Sequence, residues 1–143
     1  MPSIVYNSFM RDIATGAVDC DTDTFKMMLV TSTYAPSKSH SRRSPDITNE
    51  VAVGNGYAAG GNACTLTVGT TNNSTNSVDI NFSVANWTNA TITARGGVIY
   101  KSTGTPSQDP LVGYVDFLSN ITSTNGTFAV TVSTPLSLTN PQN

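Results

Sequence analysis

Charge is scarce in this chain: Asp, Glu, Lys and Arg make up 11% of its 143 residues, less than half the usual share. Long surface helices carry Glu and Lys on their wet faces, so the shortage excludes a helical bundle and points to strands and turns. The few charges nearly cancel, to a formal net charge of −2 at pH 7. That leaves no broad positive field to grip phosphates, and nucleic acid is not expected as a partner. The single histidine, His40, would have to carry alone any triad, proton relay or multi-imidazole zinc site. Two cysteines, Cys20 and Cys64, fall short of a disulfide framework and read as ordinary thiols. Apolar runs are equally short. The stretch from Met27 to Val30 is far below the roughly 20 residues that cross a bilayer, and no charged, apolar and small-residue succession opens the chain. The expectation is a soluble protein made in the cytosol, with no membrane partner.

Ser, Thr and Asn fill the space that charge leaves, at more than a third of all residues. Hydrophobic residues stay at an ordinary 38%, and a chain of this length buries about two thirds of its unfolded surface, so its core needs neither disulfides nor metals. One domain over residues 1–143 is expected. Near the start, Tyr6, Phe9, Met10 and Ile13 recur at helical spacing, which predicts a short helix over about residues 4–15, capped by Ser3 and ended by Gly16. From Phe25 to Thr31 nearly every position is apolar, as in a central strand covered on both faces. Val78 to Val84 alternates apolar and polar throughout, the pattern of a half-buried strand. Cys64 to Val68 and Phe128 to Val132 alternate too, while Gly97 to Lys101 and Leu111 to Phe117 read as better-covered strands. Turn clusters lie at Gly60-Gly61, Asn72 to Ser77, Gly104 to Pro106 and Asn120 to Gly126. Six or seven short strands so punctuated predict a mainly β fold. The expected architecture is an antiparallel, jelly-roll-like β-sandwich with one N-terminal helix and a long, mobile loop over about residues 32–45.

Few constellations could carry chemistry. Asp19, Asp21 and Asp23 imitate the start of a calcium loop, but Thr24 stands where the loop needs Gly and Val30 where it needs Glu. A polar turn is the better reading. No Gly-x-Ser-x-Gly elbow accompanies His40, and Gly54, Gly56, Gly60 and Gly61 lack the phosphate-loop spacing. No catalytic residue, cofactor or metal is therefore assigned, and an enzyme is not expected. Lys38, His40, Arg42 and Arg43 form the one basic cluster, and on a mobile loop they are the candidate partner-binding residues. Trp87, the sole tryptophan, either plugs the end of the core or stacks on a sugar, and plugging is favoured. Asn-x-Ser/Thr recurs at Asn72, Asn73, Asn81, Asn86, Asn89, Asn120 and Asn125. Composition accounts for these, and glycosylation is not expected.

Tyr6-Asn7-Ser8-Phe9-Met10, Asp21 to Met27, Asp46 to Val51 and Gly56-Tyr57-Ala58-Ala59-Gly60-Gly61 follow one another through the first half of the chain. Trp87, Ala90 to Arg95, Val98 to Lys101 with Thr103-Gly104, Pro110 to Phe117 and Asn125-Gly126-Thr127-Phe128 continue the order through the second. In this order the segments resemble those of a family of small virion structural proteins of tailed bacteriophages. The match spans nearly the whole chain and departs from the usual pattern in a longer loop at 37–44 and an Asn/Thr-rich insert near 70–77. It implies a capsid decoration, or cement, protein on the outer surface of the virion, synthesised in the host cytoplasm. The major capsid protein and neighbouring copies, in a trimer for instance, are the implied partners. A tail, neck or fibre-base component is the alternative within the resemblance, and a carbohydrate-binding module the alternative outside it.

Overall fold

The structure is a computed structural model that describes residues 3–131 and 134–141. Among the described residues seven strands alternate with little helix: β1 (Ile4–Val5), α1 (Asn7–Ala14), β2 (Phe25–Val30), α2 (Arg43–Asp46, a turn interrupted by extended backbone at Ser44), β3 (Asn62–Asn72), β4 (Ser77–Val84), β5 (Trp87–Lys101), β6 (Leu111–Phe128) and β7 (Leu136–Thr139). A 3-10 turn, Pro106–Gln108, precedes β6. The strands form one antiparallel sheet in the order β1-β6-β5-β2-β3-β4-β7. Its two edges, β1 and β7, approach each other without pairing, so the sheet is nearly closed into a barrel. A single curled sheet thus stands where two stacked sheets were expected; right-handed twist lets one sheet wrap its own core.

β2 shows why its sequence is apolar at almost every position. Phe25, Met27 and Leu29 point into the main core with Trp87, Ile92, Ile99 and Phe128. Met28 and Val30 point the other way, into a second core with Tyr6, Tyr34, Tyr100 and Tyr114. Residues 31–47 lie over that outer face, with Tyr34 buried and Ile47 packed against the cluster. The same switch runs through β5. Ala90, Ile92 and Ala94 alternate with wet neighbours, whereas Val98, Ile99 and Tyr100 are all buried. Two-sided burial begins where the overlying segment begins.

Several expectations need correction. The predicted helix over about 4–15 starts later, because Ile4 and Val5 pair with Tyr114 and Gly113 of β6. Ser3 is not its cap, since its hydroxyl oxygen accepts the Asp116 N–H at 3.1 Å; Tyr6 occupies the cap position without a side-chain capping bond to the helix. Asn120 to Gly126 is no turn but part of β6, where Asn125, with φ 46°, marks an irregularity in the pairing with β5. The strand expected from Phe128 to Val132 ends at Phe128, and Val132 lies outside the described residues. By contrast, Asn72 to Ser77 does close the β3–β4 hairpin, and Asp19 to Asp23 is a polar turn, with Asp23 Oδ2 accepting the Asp19 N–H at 2.8 Å.

Candidate interaction surface

The four sequence-predicted site residues do not form one outward-facing patch. Arg42 meets the Asp12 carboxylate at 3.5 Å, and Asp12 is itself buried in α1. Arg43 turns further inward. Its guanidinium lies 3.3 Å from Asp109 Oδ2 and 5.0 Å over the ring of Tyr100. Asp109 is 1% exposed and also accepts the Thr103 N–H and hydroxyl at 2.7 and 2.6 Å. His40 bonds the Tyr34 hydroxyl at 2.9 Å through Nδ1. Lys38 alone of the four is exposed. Asp46 closes the turn, accepting the Ser41 and Arg42 N–H groups at 2.7 and 3.0 Å. Those two backbone bonds hold the Asp46 carboxyl below the usual carboxylate range. The segment expected to be mobile is therefore tied at both ends, because it is the cover of the second core.

A second polar network sits beside it. Glu50 Oε1 accepts the Tyr57 hydroxyl at 2.8 Å and the Gly60 N–H at 2.6 Å. The Tyr57 oxygen accepts the Leu29 N–H at 3.0 Å, and the Tyr100 hydroxyl donates to the Gly60 carbonyl at 2.6 Å. Burial pushes the Tyr57 and Tyr100 phenols up, the second to about 12. Both therefore stay protonated donors at neutral pH. Trp87 is 2% exposed, stacked on Tyr57 and edge-on to Phe128; it plugs the core, and its faces are not open to a sugar.

The open ground is the seam between the sheet edges. A groove of about 1010 Å³ runs there, lined among the described residues by Val5, Met10, Leu118, Ile121, Phe128 and Leu136, with Lys38 at its rim. Among the described residues neither flanking strand pairs on its second edge, the arrangement in which a sheet can be extended by another strand. A feature of β6 shapes the groove. Residues 117–120 bulge out opposite the single residue Arg95 of β5. Arg95 grips the base of the bulge through Asp116, with Nε to Oδ1 at 3.0 Å and a terminal nitrogen to Oδ2 at 3.4 Å. Burial opposes ionisation of Asp116, but these bonds and the Leu118 N–H hold its carboxyl below the usual range. At the crest Leu118 takes φ 68° and is 73% exposed. A bulky side chain in the left-handed region is rare and costs energy, and such strain concentrates at functional positions.

Sequence reasoning missed this groove. Its apolar members come from four separate stretches of chain, and the one local signal is Asp116 placed two residues before Leu118, the spacing of a side-chain-capped turn. No protein-family model matches the chain, and comparison with curated proteins and with solved structures yields no significant match.

Proposed function

We propose that this chain is a structural protein of a tailed-bacteriophage virion, which decorates and stabilises the capsid by binding the shell of major capsid protein. One observation carries the reading: an apolar groove between two strand edges that are unpaired among the described residues, crested by the strained and exposed Leu118. Such a seam suits an extended partner segment, which gains main-chain bonds from the edges and side-chain pockets from the groove. The residues that carry the family resemblance support it in a second way. Glu50, Tyr57, Gly60, Arg95, Tyr100 and Asp116 are bound into the networks of the body, whereas the insert near 70–77 is the hairpin tip between β3 and β4. A common scaffold with divergent surface segments is what a shell-binding part requires.

In this reading the chain performs no catalysis. Its curled sheet, nearly closed on itself, acts as a stiff body. Lys38 and the seam, in place of Arg42 and Arg43, meet the shell or a neighbouring copy. Contacts of about 800 Å² per partner suffice for a stable complex, and repetition over the shell multiplies them.

Counting copies in purified particles tests the proposal. Occupancy on the order of hundreds, as icosahedral repetition demands, supports the shell; a number near a dozen moves the protein to the tail or neck. Intact heads that lack it overturn the reading. Leu118→Asp with Ile121→Asp, both on exposed side chains, is expected to lower particle occupancy at least tenfold while leaving the purified protein folded.

A further inference from the structure

Tyr6, Tyr34 and His40 form a hydrogen-bonded chain that runs from the interior to the segment over 32–45. The Tyr6 and Tyr34 hydroxyls are 2.9 Å apart, and Tyr34 is 2.9 Å from His40 Nδ1. Tyr6 is fully buried and Tyr34 is 5% exposed. The rings support the same contact, with Tyr6 stacked on His40 and Tyr34 edge-on to Tyr114. Burial pushes both phenols up, so each keeps its hydrogen and each must donate once.

Only one arrangement satisfies all three groups. Tyr6 donates to the Tyr34 oxygen, and Tyr34 donates to Nδ1, which must then be the bare nitrogen of an imidazole protonated at Nε2. An imidazolium has no bare nitrogen. Its Nδ1–H would compete for the Tyr34 oxygen, and either the Tyr34 or the Tyr6 hydrogen would be left without an acceptor in a buried site. We propose that this one-way chain is a latch: the neutral His40 imidazole, together with the Arg42 and Arg43 ion pairs, holds the segment over 32–45 on the second core, and proton uptake by His40 loosens it.

The groups facing His40 set the direction of the effect. From the residue before α1 comes Tyr6; from its own segment, Tyr34; from the turn at 43–46, Asp46; and behind Tyr34, from β6, Tyr114. The phenols do not change charge as the imidazole titrates. Asp46, held ionised by the Ser41 and Arg42 N–H groups, attracts an imidazolium. Because the latched state is the one that excludes the proton, it gains as pH rises and is lost as pH falls. This inference concerns the chain's own cover segment and stands whether or not the protein belongs to a virion.

Hydrogen–deuterium exchange of the intact protein from about pH 8 to about pH 5, the window in which imidazoles titrate, tests the latch. After correction for intrinsic exchange rates, protection of the segment over 32–46 is expected to drop about tenfold at the acid end while β2 stays protected. His40→Gln supplies a carbonyl oxygen that accepts the Tyr34 hydrogen and does not titrate, so its protection is expected to be flat. A flat wild-type profile, or an acid loss that persists unchanged in His40→Gln, overturns the proposal. Nitrogen NMR of the wild type gives an independent reading: a proton on Nδ1 at neutral pH overturns it even if the variant fails to fold.

Discussion

Gly61 lies against the backbone of Met27, so close that a Cβ on Gly61 would fall within the Met27 carbonyl group. The contact locks the Gly60-Gly61 turn onto the central strand, and it needs both a missing side chain and the positive φ of 77° that glycine tolerates.

Replacing Gly61 by Ala is therefore expected to cost about 3 kcal/mol or to abolish folding, since neither the Met27 backbone nor the strand can yield. Gly104→Ala is the matched control. It has φ 90° but nothing near its absent Cβ, so backbone strain alone should cost about 1 kcal/mol. Urea midpoints measured on both variants check the difference, and equal losses would contradict the packing argument.

The buried pair of Arg43 and Asp109 is expected to be sensitive to removal of its anion. Asp109→Ala leaves the Arg43 guanidinium, 17% exposed as a side chain, without its counter-charge and strips Thr103 of its acceptor. Breaking such a pair from one side costs about 3 kcal/mol. Equilibrium unfolding should show that loss, whereas Asp79→Ala, on an exposed residue of β4, should change stability by less than about 0.5 kcal/mol.

Alkaline unfolding should follow from the tyrosines. Burial pushes all five up, with Tyr100 and Tyr114 reaching about 12. An unfolded phenol ionises near pH 10. Above that the unfolded chain gives up protons that the folded protein retains, so stability is intact below about pH 9 and falls as pH rises further. Phenolate absorbance and circular dichroism are expected to change together in one cooperative step. Gradual ionisation around pH 10 in a protein that keeps its fold would refute this.

Local pattern revealed the strands that are wet on one face. Val78 to Val84 and Cys64 to Val68 read correctly because period-2 alternation is written in adjacent residues. The central strand read correctly as well: a run apolar at nearly every position, Phe25 to Thr31, can only be covered twice. What covers it did not read. Tyr34 is the one large apolar-bodied residue in a Ser-rich stretch, so a segment that looked mobile turned out to roof the second core through one ring, one histidine and two inward-facing arginines. The first half of β5 and the second half of β6 were hidden for a related reason. Their Thr, Asn and Gly residues are turn formers on their own, and only pairing with each other, as in Thr93 with Thr122, makes them strand.

From its sequence alone the chain was bound to be mainly β, with little charge to spend on helices and with apolar residues at periods that fix which faces are wet. Tertiary structure decided that the strands join into one curled sheet instead of two, that Arg42 and Arg43 of the basic cluster pair with buried carboxylates, and that an open apolar seam remains between β1 and β7. Those outcomes depend on which distant edges and side chains meet. Periodicity specifies a face, but contact between residues such as Arg43 and Asp109, or Gly61 and Met27, exists only once the sheet has closed around its core.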